Sequence, residues 1–146
     1  MRNNPVTQNM SAAERQQFLS ALHVGVLALN RPGSGPLTVP VWYDYEPGGA
    51  LWFITDRDSR KGRLIDIGTR ISVCVQNEAP PYQYVCVEGP VVAIVPSNVT
   101  TDLQPMARRY LGAVQGNAYA AGAKDGDSVV VRMRCATWLS VDYSKR

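Results

Sequence analysis

The 146-residue chain holds a single histidine, only three cysteines, and no apolar run long enough to cross a bilayer. Each shortage excludes a class of function. With His23 alone, flanked by Leu22 and Val24, a Ser-His-Asp triad would have to recruit a residue placed for packing, and a two-histidine metal site has no second member. Cys74, Cys86 and Cys135 form no C-x-x-C pair and lie in alternating apolar stretches, so they read as reduced core residues of a cytosolic protein and not as metal ligands. The run from Val24 to Leu29 contains a glycine and is far shorter than a membrane span, and Met1-Arg2-Asn3-Asn4-Pro5 lacks the apolar core of a signal peptide. A soluble, cytoplasmic protein with no membrane partner is the expectation. Repeats, low-complexity segments and linker composition are also missing. One domain over residues 1–146 follows, with 1–9 as a flexible N-terminal arm; a chain of this size buries about two thirds of its unfolded surface in one core.

Charge of one sign is scarce too: 15 basic residues face 12 acidic ones, for a formal net charge of +3. Four of the basic residues, Arg57, Arg60, Lys61 and Arg63, fall in a seven-residue window. So local an excess suits a small phosphorylated ligand better than a nucleic acid laid along a broad stripe, and no nucleic-acid partner is expected.

What the chain has in quantity is alternation. After a capping box at Ser11-Ala12-Ala13-Glu14 and a short helix carrying Phe18, Leu19, Ala21 and Leu22, period two takes over. Val24 to Leu29 and Leu37 to Tyr45 read as a hairpin, joined through Arg31-Pro32-Gly33-Ser34-Gly35-Pro36. Leu51 to Ile54, Ile71 to Val75, and a long strand from Tyr84 to Val95 with a bend at Gly89-Pro90 follow. Asn98 caps a second helix over Val99 to Leu111, ended by Gly112, with Met106, Tyr110 and Leu111 on its buried face. Ala118 to Ala123 reads as either a short helix or a loop, and a last strand runs from Val129 toward Trp138 and Leu139. Six strands with turn signals between them predict a mainly β, six-stranded split barrel with two or three peripheral helices.

The basic window opens at the end of a strand: Thr55-Asp56-Arg57-Asp58-Ser59-Arg60-Lys61-Gly62-Arg63. A serine hydroxyl, backbone N–H groups at a helix start and cationic side chains in one turn point to an oxyanion; a solvated basic loop is the alternative.

This segment, followed by Tyr84-Val85-Cys86-Val87-Glu88-Gly89, resembles the pyridoxamine-phosphate-oxidase-like split-barrel superfamily of flavin and deazaflavin binders. Within it the chain is most similar to the deazaflavin-dependent reductases that use coenzyme F-420. Pro36-x-x-x-Pro40-Val41-Trp42-Tyr43, Pro80-Pro81-Tyr82, Arg108-Arg109-Tyr110-Leu111-Gly112 and Trp138-x-x-x-Asp142-Tyr143-Ser144-Lys145 support the likeness, which spans roughly residues 20 to 145. The resemblance implies that Ser59, Arg60 and Lys61, with Arg63 nearby, hold the cofactor's phosphate. It lays the ring against Val39, Pro40, Val41 and Trp42 of the second strand and against Ile54 and Thr55 of the third. It also implies a homodimer with the cofactor at the subunit contact, where Tyr82 and Tyr84 reach across to cover the ring. The large aromatics give the dimer independent support. The alternative for Trp42 and Tyr43 is simple filling of the barrel or the dimer contact.

The pyridoxamine phosphate oxidases themselves carry an arginine on the second strand and a glutamine before the fifth, where this chain has Val39 and Tyr84. Their C-terminal substrate motif is missing as well. These departures turn the expectation from pyridoxamine phosphate oxidation toward an F-420-dependent oxidoreductase that passes a hydride to a small conjugated or unsaturated substrate, with Tyr43 the candidate proton donor. An FMN-dependent reductase or oxidase and a non-catalytic flavin or deazaflavin binder are the alternatives. Haem would have only His23 as an axial ligand.

Overall fold

The computed structural model describes residues 8–145. Residues 1–7, most of the expected N-terminal arm, lie outside it, but Asn9 and Met10 are tied down: the Asn9 carbonyl accepts from Lys145 Nζ, and buried Met10 donates its N–H to Ser140 Oγ at 3.2 Å. The capping box forms as the sequence predicts. Ser11 Oγ accepts from the Glu14 N–H at 3.1 Å and Glu14 Oε1 from the Ser11 N–H at 2.9 Å, which starts helix α1 (Ala12–Ser20).

Strands β1 (Gly25–Leu29), β2 (Leu37–Val41), β3 (Leu51–Thr55), β4 (Arg70–Gln76), β5 (Gln83–Pro96), β6 (Val129–Met133) and β7 (Thr137–Asp142) form one antiparallel sheet in the order β2-β1-β4-β5-β6-β3, with β7 on the other side of the first half of β5. The described residues form seven strands, not six. The last predicted strand is cut in two between Met133 and Thr137, because its halves pair with different halves of β5: β6 with Val91–Pro96, β7 with Gln83–Glu88. The cut falls opposite Gly89. A Cβ there would lie 1.7 Å from the Arg134 carbonyl oxygen, so only glycine lets the corner pass. Around it the Arg134 N–H donates to Pro90 O and the Ala136 N–H to Glu88 O.

Alternate residues turn inward and fill the barrel with Leu27, Leu29, Leu51, Phe53, Ile71, Val73, Val85, Val131 and Met133. Period two also corrects the reading of two cysteines. Val73, Val75, Val85 and Val87 are buried, so Cys74 and Cys86, one residue out of phase, face outward opposite each other on β4 and β5 and are only half-buried.

The second helical region departs from its expected outline as well. Asn98 caps it as predicted, Oδ1 accepting from the Thr101 N–H, but the first turn, Val99–Leu103, is π-helical and leads into α3 (Gln104–Ala120). Gly112, with φ of 83°, ends the first arm as foreseen. The chain then re-enters a helix and folds back. Gly116 sits so close to Arg108 that a Cβ would come within 2.6 Å of its backbone, and Gln104 Nε2 donates to Asn117 Oδ1 at 2.9 Å. The returning arm resolves the open choice at Ala118: helix through Ala120, then turn. Among the described residues no helix is long and apolar enough to cross a membrane.

Candidate functional site

β2 and β3 are the two ends of the sheet path, and closing the barrel would require them to pair. They meet at one bridge, Asp44 with Trp52, each N–H donating to the other's carbonyl at 3.0 Å. Continued in that register, Trp42 would face Ile54 and Pro40 would face Asp56. Instead the lips part, and an open pocket of about 410 Å³ occupies the split, lined by Pro40, Val41 and Trp42 on one lip and by Ile54, Thr55 and Asp56 on the other. Since the Trp52 backbone groups point into the seam, those of Ile54, two residues on, point the same way and have no ladder partner there. Pro40, which has no N–H to offer, suits the other edge.

Beyond Thr55 the chain makes the basic turn. Ser59 is the N-cap of α2 (Arg60–Arg63): its Oγ accepts from the Gly62 N–H at 3.0 Å and donates to Asp56 O at 2.7 Å, with Thr55 Oγ1 at 3.2 Å. Ser59 therefore builds the turn, and Thr55 contributes its hydroxyl to the same network. Gly62 makes the turn possible, because a Cβ would lie 2.1 Å from Asp56 O. Arg57 is structural too, donating to Ile65 O at 2.7 Å and pairing with Asp66 at 3.1 Å. The side chains of Arg60, Lys61 and Arg63 make no hydrogen bond or ion pair among the described residues. Lys61 lines the pocket; Arg60 and Arg63 lie exposed on the turn outside its lining.

Trp42 is stacked on Tyr110, centroids 5.1 Å apart and planes 6° from parallel. Tyr110 pins α3 to the end of β2. Its hydroxyl donates to His23 O at 2.6 Å, stands 3.0 Å from Tyr43 O and accepts from the Tyr43 N–H at 3.0 Å. Arg109 reinforces the clamp by donating to the carbonyls of Tyr43, Ser20 and Ala21 and pairing with Asp44. Tyr43 itself is wholly buried, its hydroxyl donating to Leu19 O at 2.6 Å. Burial raises its pKa above the ordinary tyrosine value, and this candidate proton donor is a core residue outside the pocket lining. Val39 likewise turns inward and packs on the core, because it is in phase with Val41 and out of phase with Pro40.

The family model for Pyridoxamine 5'-phosphate oxidase matches residues 11–142. The chain belongs to this family. Among solved structures, a conserved hypothetical protein from Mycobacterium tuberculosis is 22% identical, with a TM-score of 0.76 over 97% of this chain and 91% of that one. An F420 reductase is 23% identical, with a TM-score of 0.67 over 85% and 94%. A FAD-binding protein from Mesorhizobium loti is 23% identical, with a TM-score of 0.65 over 93% and 96%. No curated protein matches the chain. At these identities the solved structures speak for the fold, which is that of the pyridoxamine 5'-phosphate oxidase family.

Within this family member, the split brings together six of the residues nominated from sequence: Pro40, Val41, Trp42, Ile54, Thr55 and Lys61. Tyr82 and Tyr84 lie outside the pocket, at the start of β5, where Tyr82 is 52% exposed. Five lining residues escaped the sequence reading: Asp56, Leu103, Met106, Tyr119 and Ser128. Ser128 Oγ donates to Asp56 Oδ1 at 2.9 Å, joining the start of β6 to the end of β3. Asp56 was discoverable as the strand-end neighbour of Thr55, whereas Tyr119 reaches the pocket only through the fold-back at Gly112.

Proposed function

We propose that this family member is a deazaflavin (F-420) dependent oxidoreductase that transfers a hydride from the reduced cofactor to a small conjugated or unsaturated molecule. The observation that carries the reading is the open seam, with the unpartnered backbone edge at Ile54 along one side and the free ammonium of Lys61 at its end. A flat heteroaromatic ring fits an edge with a fixed N–H and C=O, and a phosphate fits Lys61 with Arg60 and Arg63 close by in the chain. The residues present therefore suit the group. When bound, it supplies the hydride chemistry. The protein's part is to orient the ring on Ile54 and Thr55, back it with Trp42, and shield it with the helical wall of Leu103 and Met106. With Tyr43 committed to Leu19, the proton comes from solvent.

FMN is the second reading, favoured by the likeness to a FAD-binding protein. A non-catalytic carrier of either cofactor is the third, favoured by the withdrawal of Tyr43 from the pocket. Titration of the cofactor-stripped protein with F-420 and with FMN, followed by fluorescence, separates these readings. Micromolar F-420 binding with weak FMN binding is the expected result, and the reverse preference overturns it; turnover of a dye acceptor with reduced cofactor then excludes the carrier.

The proposal extends to a homodimer. Across the outer face of the sheet, Pro40, Val26, Cys74, Cys86 and Leu139 stand in register in one apolar row over five strands, with Val26 44% and Leu139 55% exposed. Tyr84 stands two residues from Cys86 on β5, and in the proposed dimer it and Tyr82 cover a second copy's seam. Such a face is costly to leave in water. Sedimentation equilibrium tests it: a dimer is expected, and Leu139→Lys should give monomers with weakened cofactor binding.

A further inference from the structure

Two thiols face each other on the outer side of the sheet, away from the seam. Cys74 on β4 and Cys86 on β5 are direct partners in the antiparallel register, both half-buried, and neither lines the pocket between β2 and β3. The hydrogen-bond phase of the ladder decides how close they come. The Asn77 N–H donates to the Gln83 carbonyl at 3.1 Å and the Val91 N–H to the Thr69 carbonyl at 2.8 Å, so the odd-numbered residues of β4 form the hydrogen-bonded pairs. Cys74 and Cys86 are therefore a non-hydrogen-bonded pair. In that class opposite Cα atoms stand about 4.5 Å apart and side chains approach most closely. Such a spacing lies within the range a disulfide spans, about 4.4 to 6.8 Å.

The surroundings favour reaction between the two sulfurs. The Cys86 thiol donates to the Cys74 sulfur and lowers the Cys74 thiol to about 7, while the same contact pushes the Cys86 thiol up. One sulfur is thus readily ionised with a protonated one beside it. Cys135 differs: it follows β6 at the corner, packs against the core, and burial raises its thiol above the ordinary cysteine value.

We propose that Cys74 and Cys86 form a reversible thiol–disulfide site whose oxidant is a hydroperoxide. One thiolate attacks the peroxide: an S–O bond forms as the O–O bond breaks, and the proton given up by that thiol returns on the departing oxygen, which leaves as water or an alcohol. The second sulfur then attacks the sulfenic acid. The S–S bond forms, the S–O bond breaks, and hydroxide leaves as water with the second thiol's proton. Two thiols are oxidised by two electrons, and one hydroperoxide is reduced. The site rests on strand register and needs no cofactor in the seam. A second copy seated on the outer face, as proposed above, would cover both sulfurs, so the reaction belongs to the separated chain.

Treatment of the reduced protein with hydrogen peroxide over a dilution series, followed by thiol counting and peptide mapping, tests this. At the lowest concentrations two of the three thiols should be lost in one intrachain Cys74–Cys86 linkage, and dithiothreitol should restore all three. Cys135→Ser should leave the linkage unchanged. Cys74→Ser and Cys86→Ser should each abolish it, and in at least one of them dimedone should trap the remaining sulfur of the pair as sulfenic acid. The proposal is overturned by the absence of the linked peptide at every dilution, by linkage through Cys135 or between chains, or by sulfinic acid on the pair in place of the bond.

Discussion

On the sheet side of the pocket, Ile54 and Thr55 belong to a strand fully laddered to β6, and the turn that follows is knitted by Ser59, Asp56 and Arg57 through bonds of 2.7 to 3.0 Å. On the helical side, Tyr119 stands on an arm that reverses at Gly112 and is held by the Gln104–Asn117 hydrogen bond and the close approach of Gly116 to Arg108. One wall is fixed by backbone and the other by a few side chains. For the proposed function the contrast matters: a rigid edge suits a cofactor whose ring must be placed accurately, and the lightly held arm is the wall more able to adjust.

The sharpest way to break this contrast is to strike both walls at a glycine. Gly62→Ala puts a Cβ into the Asp56 carbonyl, and should cost about 3 kcal/mol or more of stability and abolish cofactor binding, read by thermal denaturation and titration. Next in size is the ionic end. Lys61→Ala should weaken cofactor binding by roughly 1.5 to 3 kcal/mol with little loss of fold, the size of one charge-assisted contact. Arg60→Ala, outside the lining, should cost less, and an unchanged affinity in the double variant would remove the phosphate assignment. Tyr110→Phe strips the clamp that holds the helical wall. It leaves the Tyr43 N–H unpaired and should cost about 2 kcal/mol in denaturant unfolding. Gly116→Ala should be milder. Overpacking against Arg108 costs about 1 to 3 kcal/mol, offset by about 1 kcal/mol of helix propensity, a loss that denaturant unfolding would read.

The smallest effect is the alkaline one. Burial raises the pKa values of Tyr43 and Tyr110, so the folded chain keeps protons that the unfolded chain gives up. The stability they contribute is complete below about pH 10, the ordinary tyrosine value, and is lost as pH rises beyond it. Tyr110→Phe should make the alkaline fall shallower without removing it.

The rigid wall was largely legible in the sequence, because its signals are local: alternation gives β3, and the serine and basic run after Thr55 give the helix start, where Ser59 caps the helix through the Gly62 N–H. Alternation also carried most of the barrel. It failed where a single run of residues serves two partners, as at Arg134, since pairing with different stretches of β5 leaves no mark on period two. Of the two readings open for Tyr43, alternation favours the core: it continues the inward phase of Val39 and Val41, and Tyr45 follows it, whereas Trp42 takes the other face. Met106 was legible as a buried helix position but not as a pocket residue, and Leu103 and Tyr119 carried no local signal. Gly112 marks an end, and nothing before it says that the next helix returns.

Gly89 has one more consequence. Because β5 passes that corner unbroken, its first half is shared with β4 and β7 and its second half with β6, so neither part of the barrel can melt and leave the other with a complete set of neighbours. Unfolding should then be a single cooperative event. In native-state hydrogen exchange the amides of Val85, Val87 and Val91 should be among the slowest in the chain, all opening with the free energy of global denaturation, while those of the arm after Gly112 exchange through a local opening well below it.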